Sequence, residues 1–534
     1  MMANWLNALG DRNPQLLREL RGRLQWRSVI ATTAIVVVGQ LLLLAFFAAM
    51  LPNTQSDSQF CLGVAEVGCR TDWQRWWQSI FAVLAGILPY ALYVPGAYAL
   101  VNDMIQEMQK GTLNFLRLSP RSSQNILLGK LLGVPILGYF SFLLLLPLQL
   151  ISGVLGGVPI GELVMLDATI LLWGALLFTM SIFIGFSSGG QTRTLGVNGA
   201  SGLGAVALVV VAGVPAIGLI KTLFLSRSTD PNRAVLVPIR WFGALVNQDW
   251  SLAHLFIFGN IVLLTYWFWR VLQRTFRKPT ATLLSKRQGY AIVTYVLLLV
   301  MGFLVPGRVV KGDLLGMTGF TPIAIVASIA MYAALPLIFA LSTPRQTLLD
   351  WCSGRQELAI AQRAANVSPG KRRLEQIRDR LLGDKSPGVT AILICVLIAY
   401  GLISLLLPVT KGSFGIAVLG LSLSATLVAN YALLVQLMLL LETAQPFAWA
   451  VGSLVCAIVL PGLCVAIPGL NLLAGYFTPG LWFLLYDSAT RGTTQRIESG
   501  GVVLALLAWG LLMGLLIMQG LILRYRLRQL GRSV

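Results

Sequence analysis

Charge is scarce in this chain. Asp, Glu, Lys and Arg make up 11% of its 534 residues, against 56% hydrophobic residues, whereas a soluble globular domain carries about 25% charged residues. Folding alone cannot hide so much apolar surface from water, so lipid must be the solvent for much of the chain. That excludes a soluble enzyme, a disordered chain and a disulfide-stapled secreted domain. Histidine is nearly absent. The single His254 cannot by itself supply a histidine-based metal site, a catalytic triad or an H-E-x-x-H motif. The six cysteines form no C-x-x-C, and no G-x-x-x-x-G-K-S/T phosphate loop occurs.

What is present is a succession of apolar runs. A hydrocarbon core about 30 Å thick is crossed by roughly 20 helical residues. Twelve runs meet that length or come close to it: 29–51, 79–101, 130–152, 163–186, 200–221, 253–270, 290–306, 322–342, 389–408, 416–441, 448–468 and 501–523. The first is too long for a cleavable signal and follows an amphipathic, Arg-rich stretch.

Charge then orients the runs. The formal net charge is +20. With the N-terminus inside, roughly three quarters of the Lys and Arg residues fall in the inside segments, as retention of cations in cytoplasmic loops requires. The expectation is an all-α polytopic membrane protein with twelve transmembrane helices and both termini cytoplasmic. Cys61 and Cys69 then share an outer loop, where a disulfide can persist, and they form a candidate pair beside the alternative of two free thiols. Cys395, Cys456 and Cys464 lie in apolar runs, where a thiol acts as a small hydrophobe.

The order of elements repeats. "LLFTMSIFIGFSSGGQTRTLGVNGASGLGAVALVVVAGVPAIGL" from Leu176 and "LLVQLMLLLETAQPFAWAVGSLVCAIVLPGLCVAIPGL" from Leu433 follow one plan. A long apolar helix reaches a short polar turn, and a Gly/Ala-rich helix follows. An outer segment comes next, with Pro238, Trp241, Phe242 and Leu245 in one copy and Pro479, Trp482, Phe483 and Leu485 in the other. Each copy closes on an Arg-rich end. Both copies enter the membrane from inside, so the two pseudo-symmetric six-helix halves form a parallel repeat.

Ionisable residues at membrane depth mark ion and proton pathways because a charge there is costly. Asp167, near the outer end of the fourth run, is the clearest one, and Glu442 stands at the cytoplasmic end of the tenth. Neutral Gln40, Gln149, Asn260, Asn430, Gln436 and Gln519 suit hydrogen bonds between helices. The scarcity counts against an ion-driven carrier.

Two cytoplasmic stretches suggest a partner. Asn13 before Pro14 makes a helix N-cap with proline at the first turn. Leu16, Leu17, Leu20 and Leu24 follow at helical spacing, with Arg18, Arg21 and Arg27 on the polar side and Trp26 at the interface. This segment, 1–28, reads as an amphipathic helix on the membrane surface. After the second run, Met104, Ile105 and Met108 form an apolar stripe beside Asp103, Glu107 and Lys110. Gly111 can break that helix. Leu113, Phe115, Leu116 and Leu118 make a second apolar set, and Ser119-Pro120 turns the chain.

The run E-x-x-K-G-T-L-x-x-L-x-x-S-P from Glu107, followed by I-L-L-G-K-L-L from Ile126, resembles the intracellular loop of ABC exporter permeases of the type-2 class. The opening N-P-x-L-x-R-E-x-R from Asn13 resembles the start of such permeases, as does the six-span unit with its long outer segment. The resemblance covers residues 12–280. It implies that segment 102–129 holds a coupling helix that docks on an ATPase subunit, with coupling roles for Asp103, Glu107, Lys110, Thr112, Leu113 and Phe115. The second half follows the plan, but its segment 343–388 is longer and lacks K-G-T-L. A second coupling site falls there around Arg345, Leu348, Asp350 and Trp351. Ser187-Ser188-Gly189-Gly190-Gln191 mimics the L-S-G-G-Q signature of ABC ATPases, but it stands in a short turn between two runs with no nucleotide-binding domain around it.

The organisation expected is therefore an interface helix at 1–28, a permease-like half at 29–289 and a second half at 290–534. The expected function is that of the membrane-spanning permease subunit of an ATP-driven exporter in the bacterial cytoplasmic membrane. The substrate would be amphipathic or lipid-linked. The chain is not itself expected to be an enzyme: ATP and Mg would sit on partner ATPase subunits, and no cofactor, metal or catalytic residue is assigned to this chain. Membrane lipid and further membrane subunits complete the expected partners. Nucleic acid is not among them, because Trp351 alone among the basic residues of 343–388 supplies no base-reading surface. The alternatives are a non-transporting membrane scaffold subunit and a 6+6 secondary transporter.

Overall fold

A computed structural model describes residues 12–52, 60–62, 70–188, 240–242, 244–245, 250–278, 282–304, 322–364, 368–404, 414–443, 446–464, 477 and 498–532. Run 200–221, Cys69, Gly189 to Gln191, Pro238, Pro479, Trp482, Phe483 and Leu485 lie outside these residues. The described structure is nearly all α-helix, and the chain is an integral multi-pass membrane protein. Among the described residues seven helices are long and apolar enough to cross a membrane: Trp26–Ala49, Trp73–Gln109, Ile136–Leu155, Ile160–Phe186, Leu252–Arg277, Val418–Leu439 and Val502–Gln529. Ala330–Leu341, Gly388–Ser404 and Pro446–Pro461 are shorter apolar helices.

Backbone contacts divide the chain into two compact units, one of residues 1–237 and 249–277, the other of 238–248 and 278–534. The first begins with α1 (Pro14–Arg23) and α2 (Trp26–Ala49). A two-residue hairpin pairs β1 (Cys61–Leu62) with β2 (Arg70–Thr71). Then come α3 (Trp73–Gln109), α4 (Thr112–Leu118), α5 (Ser123–Gly133), α6 (Ile136–Leu155), α7 (Ile160–Ser188) and α8 (Trp250–Arg277). Cys61 is disulfide-bonded.

The core forms where α3 packs on α6 and α7, around Leu88, Leu92, Tyr93 and Phe178. Two aromatic polar groups that enter it are satisfied by backbone carbonyls. The Tyr93 hydroxyl donates to Ile170 O at 2.9 Å and the Trp76 indole to Phe47 O at 2.8 Å. Gly185 on α7 lets the chain pass α3, for a Cβ there would strike the Met104 side chain.

Two features of this unit differ from the sequence reading. Met104, Ile105 and Met108 do not form a separate short helix. They continue α3, whose 37 residues span roughly 55 Å at 1.5 Å per residue, so its end projects past a bilayer core. The run 130–152 is not one helix either: it breaks at Val134 and Pro135, because proline supplies no amide hydrogen to continue the ladder. α1 packs the face of Gln15 and Glu19 on the protein, and Leu24, just past its end, is exposed.

The second unit holds α9 (Lys286–Leu304), α10 (Pro322–Leu341), α11 (Arg345–Ala364), α12 (Pro369–Leu382), α13 (Gly388–Ser404), α14 (Phe414–Leu439), α15 (Pro446–Cys464) and α16 (Glu498–Arg532). α14 packs against α13, α15 and α16. β3 (Arg240–Trp241) pairs with β4 (Ala244–Leu245). The Trp241 indole donates to Leu299 O at 3.2 Å and the Phe242 amide to Gly302 O at 2.7 Å, tying this hairpin to α9. Gln436 on α14 is fully buried. It accepts from Thr343 N at 3.2 Å and donates to Thr343 O at 2.9 Å.

Gly185→Val should lower the unfolding temperature of the detergent-solubilised protein, since overpacking a tight contact costs about 1–3 kcal/mol. Gly510→Ala, on α16 with open space around it, should leave that temperature unchanged or raise it. Tryptophan fluorescence on heating reads both.

Candidate functional site

The projecting end of α3 carries Asp103 and Glu107, and α5 brings Lys130 beside them. Lys130 is 1% exposed, so its ammonium needs compensation from the protein. Its Nζ lies 2.6 Å from Asp103 Oδ2, 2.9 Å from Glu107 Oε2 and 3.7 Å from Glu19 Oε1. Arg23 Nη2 reaches Asp103 Oδ1 at 2.8 Å, and Arg18 Nη2 reaches Glu107 Oε1 at 2.7 Å. Gln15 Nε2 donates to Glu19 Oε1 at 2.8 Å. Three carboxylates thus face three cations, and the cluster is neutral. The oxygens of Glu19, Asp103 and Glu107 lie close enough to hold a metal ion, but the Lys130 ammonium already takes a cation's place among them.

Local sequence puts α1 where this cluster needs it. The Asn13 side chain caps the helix by accepting from Leu16 N at 3.1 Å and donates to Asn125 O at 2.8 Å. Gly129 and Gly133 on α5 let α1 approach, since a Cβ at either would meet Leu16 N or the Glu19 side chain. This is the small-xxx-small device by which helix backbones come close.

From this base the chain turns at Gly111, whose φ is 71°, a left-handed conformation that favours glycine. The Thr112 hydroxyl donates to Glu107 O at 3.2 Å. Leu113 is 2% exposed and anchors α4, whereas Phe115 and Leu118 are 77% and 86% exposed. The six residues of the expected coupling site therefore play different parts. Asp103, Glu107 and Leu113 face the protein and brace the element, and Lys110, Thr112 and Phe115 are exposed. Leu118 joins the exposed set. Glu19, Arg23 and Lys130 belong to the brace although the sequence reading assigned them no part in it. The signal was the lone cation inside the apolar stretch I-L-L-G-K-L-L.

The expected second site is more dispersed. Leu348 is buried and Asp350 exposed. Arg345 pairs with Glu442, and the Trp351 indole donates to Asp379 Oδ2 at 2.7 Å. The latter bond ties α11 to α12 and makes segment 343–388 a helical hairpin. The hairpin's return to the membrane is held by Lys286, 4% exposed. Its Nζ donates to Arg380 O at 2.6 Å, to the Ser386 hydroxyl and to Pro387 O at 3.3 Å. Burial pushes this lysine down to about 8, against the opposing pull of Asp379 and Asp384.

Within the spans, Asp167 on α7 is 9% exposed and Gln149 on α6 fully buried. Asp167 Oδ1 and both polar atoms of the Gln149 side chain find no hydrogen-bond partner among the described residues. Gly153 packs on Leu163, and each of these polar residues lies one turn from that contact on its own helix.

No protein-family model matches the chain, and neither a curated protein nor a solved structure matches it.

Lys130→Met should cost about 3–5 kcal/mol, because three buried carboxylates lose their shared cation. Arg18→Met, on a side chain 55% exposed, should cost less than about 1 kcal/mol. Unfolding temperature measures both, and trypsin should cut after Arg21 or Arg23 faster in the lysine variant. Adding Asp103→Asn to Lys130→Met should restore part of the loss.

The lysine at 286 carries a pH signature. In the unfolded chain its amine returns to 10.5, so between about 8 and 10.5 the unfolded state binds more protons and stability rises with pH. Wild type should therefore gain in unfolding temperature relative to Lys286→Met as pH climbs through that window, and lose the gain below about 8.

Proposed function

We propose that the chain is the membrane-spanning permease subunit of an ATP-driven ABC exporter, with twelve spans in two six-helix halves and both termini cytoplasmic. ATP and Mg bind separate ATPase subunits. Their dimerisation pushes on the coupling elements and tilts the halves between inward- and outward-facing states, which requires that the partner contact the two states differently. The location that fits this reading is the bacterial cytoplasmic membrane, and the apolar spans suit an amphipathic or lipid-linked substrate.

The observation that carries the reading is the construction of α4. It is a short helix presenting Phe115 and Leu118 to solvent, hung on a helix that projects past the bilayer and braced by a buried, neutral ion cluster. A force applied to exposed apolar side chains reaches the spans only if their base is stiff. The docking surface in this reading is Lys110, Thr112, Phe115 and Leu118, and Asp103, Glu107 and Leu113 transmit the force.

A second reading, a 6+6 secondary transporter, draws on Asp167 and Gln149. A buried carboxyl with an unpartnered oxygen at membrane depth is what a proton- or cation-coupled carrier uses. Flux that follows an ion gradient without nucleotide favours that reading.

Affinity purification of the full chain from its native membranes tests the first. Wild type should retain an ATP-hydrolysing subunit. Phe115→Asp should lower its recovery at least tenfold while the unfolding temperature stays within a degree of wild type, since the ring is exposed. A wild-type chain that never retains an ATPase refutes the reading.

A further inference from the structure

The second unit contains a cleft that neither reading uses. It encloses about 800 Å³ between α11, α13, α14 and α16. Its floor is apolar, formed by Leu393, Leu433, Leu516 and Ile517. Its mouth is basic, formed by Arg355, Arg380, Arg524 and Arg528. The two parts belong to different solvents. The floor lies on the apolar helices α13, α14 and α16, whereas the arginines stand on the polar hairpin and on the Arg-rich end of α16.

The arginines are arranged to receive an anion. Arg355 lies over the Trp351 ring, 4.7 Å from its centroid, a cation–π contact that helps hold it at the mouth. The neighbouring carboxylate, Asp379, is engaged by the Trp351 indole. None of the four arginines forms an ion pair with a described carboxylate. Burial and the nearby charge of Arg380 hold Arg355 below its ordinary basicity, against the opposing pull of Asp379 and Cys352. An anion between the two would relieve that repulsion and could accept from both guanidiniums.

The floor decides what kind of anion. Free phosphate gains nothing from four aliphatic side chains. Leu393 and Ile517 are also 36% and 60% exposed, so the floor opens sideways, where lipid surrounds the helices. A chain of CH₂ groups laid there gains about 0.8 kcal/mol for each group it removes from water. Gly520, with open space around it, keeps α16 clear at the step between floor and mouth.

We propose that this cleft binds one anionic phospholipid from the adjacent leaflet, its headgroup phosphate held by Arg355 and Arg380 and an acyl chain laid along Leu393, Leu433, Leu516 and Ile517. Arg524 and Arg528 close the headgroup from the α16 side. The lipid joins the hairpin α11–α12 to α16, so the anionic content of the leaflet sets how firmly the hairpin is held. The site depends on neither functional reading above.

The test uses the full chain in dodecylmaltoside with phosphatidylglycerol, phosphatidylcholine or inorganic phosphate added. Native mass spectrometry should find phosphatidylglycerol retained on the protein, and it should raise the unfolding temperature by several degrees, while the other two additions should not. Arg355→Gln with Arg380→Gln should cut phosphatidylglycerol occupancy at least fivefold. Gly520→Trp, which fills the step without touching a charge, should do the same. Equal retention of phosphatidylcholine overturns the proposal, as does a shift reproduced by phosphate alone. So does wild-type occupancy in the folded variants. Should the double arginine variant not fold, Gly520→Trp and the single Arg528→Gln decide by the same occupancy measurement.

Discussion

Lys130 brings a positive charge to a position that is 1% exposed, and much of the first unit's cytoplasmic end can be understood as the answer to that charge. Desolvating an ammonium is tolerable only where nearby carboxylates repay it and are themselves hydrogen-bonded. Asp103 and Glu107 come from the end of α3 and Glu19 from α1, so three elements distant in sequence must meet at one atom. Arg18 and Arg23 balance the remaining negative charge. A neutral, closed cluster of this kind has few alternative arrangements. α4 starts one turn beyond it, and the Thr112 hydroxyl is tied to the Glu107 carbonyl. The exposure of Phe115 and Leu118 therefore rests on a fixed base and not on a mobile loop.

The second unit solves the same problem with oxygen dipoles in place of carboxylates. Lys286 is held by backbone carbonyls and hydroxyls where α12 gives way to α13. Asp379 and Asp384 act on it only from a distance. Gln436 plays a comparable part for the end of α10, with its amide matched to Thr343 on both sides. The cytoplasmic ends of the two units are built from different chemistry. That difference agrees with the absence of K-G-T-L from the second half.

Features that depend on a few consecutive residues were readable without coordinates. Asn13-Pro14 starts α1, and Gly111 interrupts the chain. Apart from 130–152, which breaks at Val134 and Pro135, the apolar runs fall on helices where residues are described. Features that depend on what lies opposite were not readable. Leu16, Leu17, Leu20 and Leu24 suggested a helix on the membrane surface but did not show what its other face meets. The face turned to the protein is that of Gln15 and Glu19, because Lys130 waits there. Periodicity shows which residues share a face, but the neighbour decides which face is covered. In the same way, Asp103, Glu107 and Phe115 sit within one short segment of sequence, yet two of them brace the element and one is presented to solvent.

The sequence by itself determined that lipid is the solvent, where helices run, and where proline and glycine interrupt them. Each of these follows from hydrophobicity or backbone sterics acting over a turn or two. Only the tertiary structure decided which charges are partners, that Arg355 and Arg380 crowd one cleft, and that Asp167 Oδ1 and the Gln149 amide find no hydrogen-bond partner among the described residues. Pairing of charges is a matter of distances of a few ångströms between helices, and no pattern along one helix records those distances.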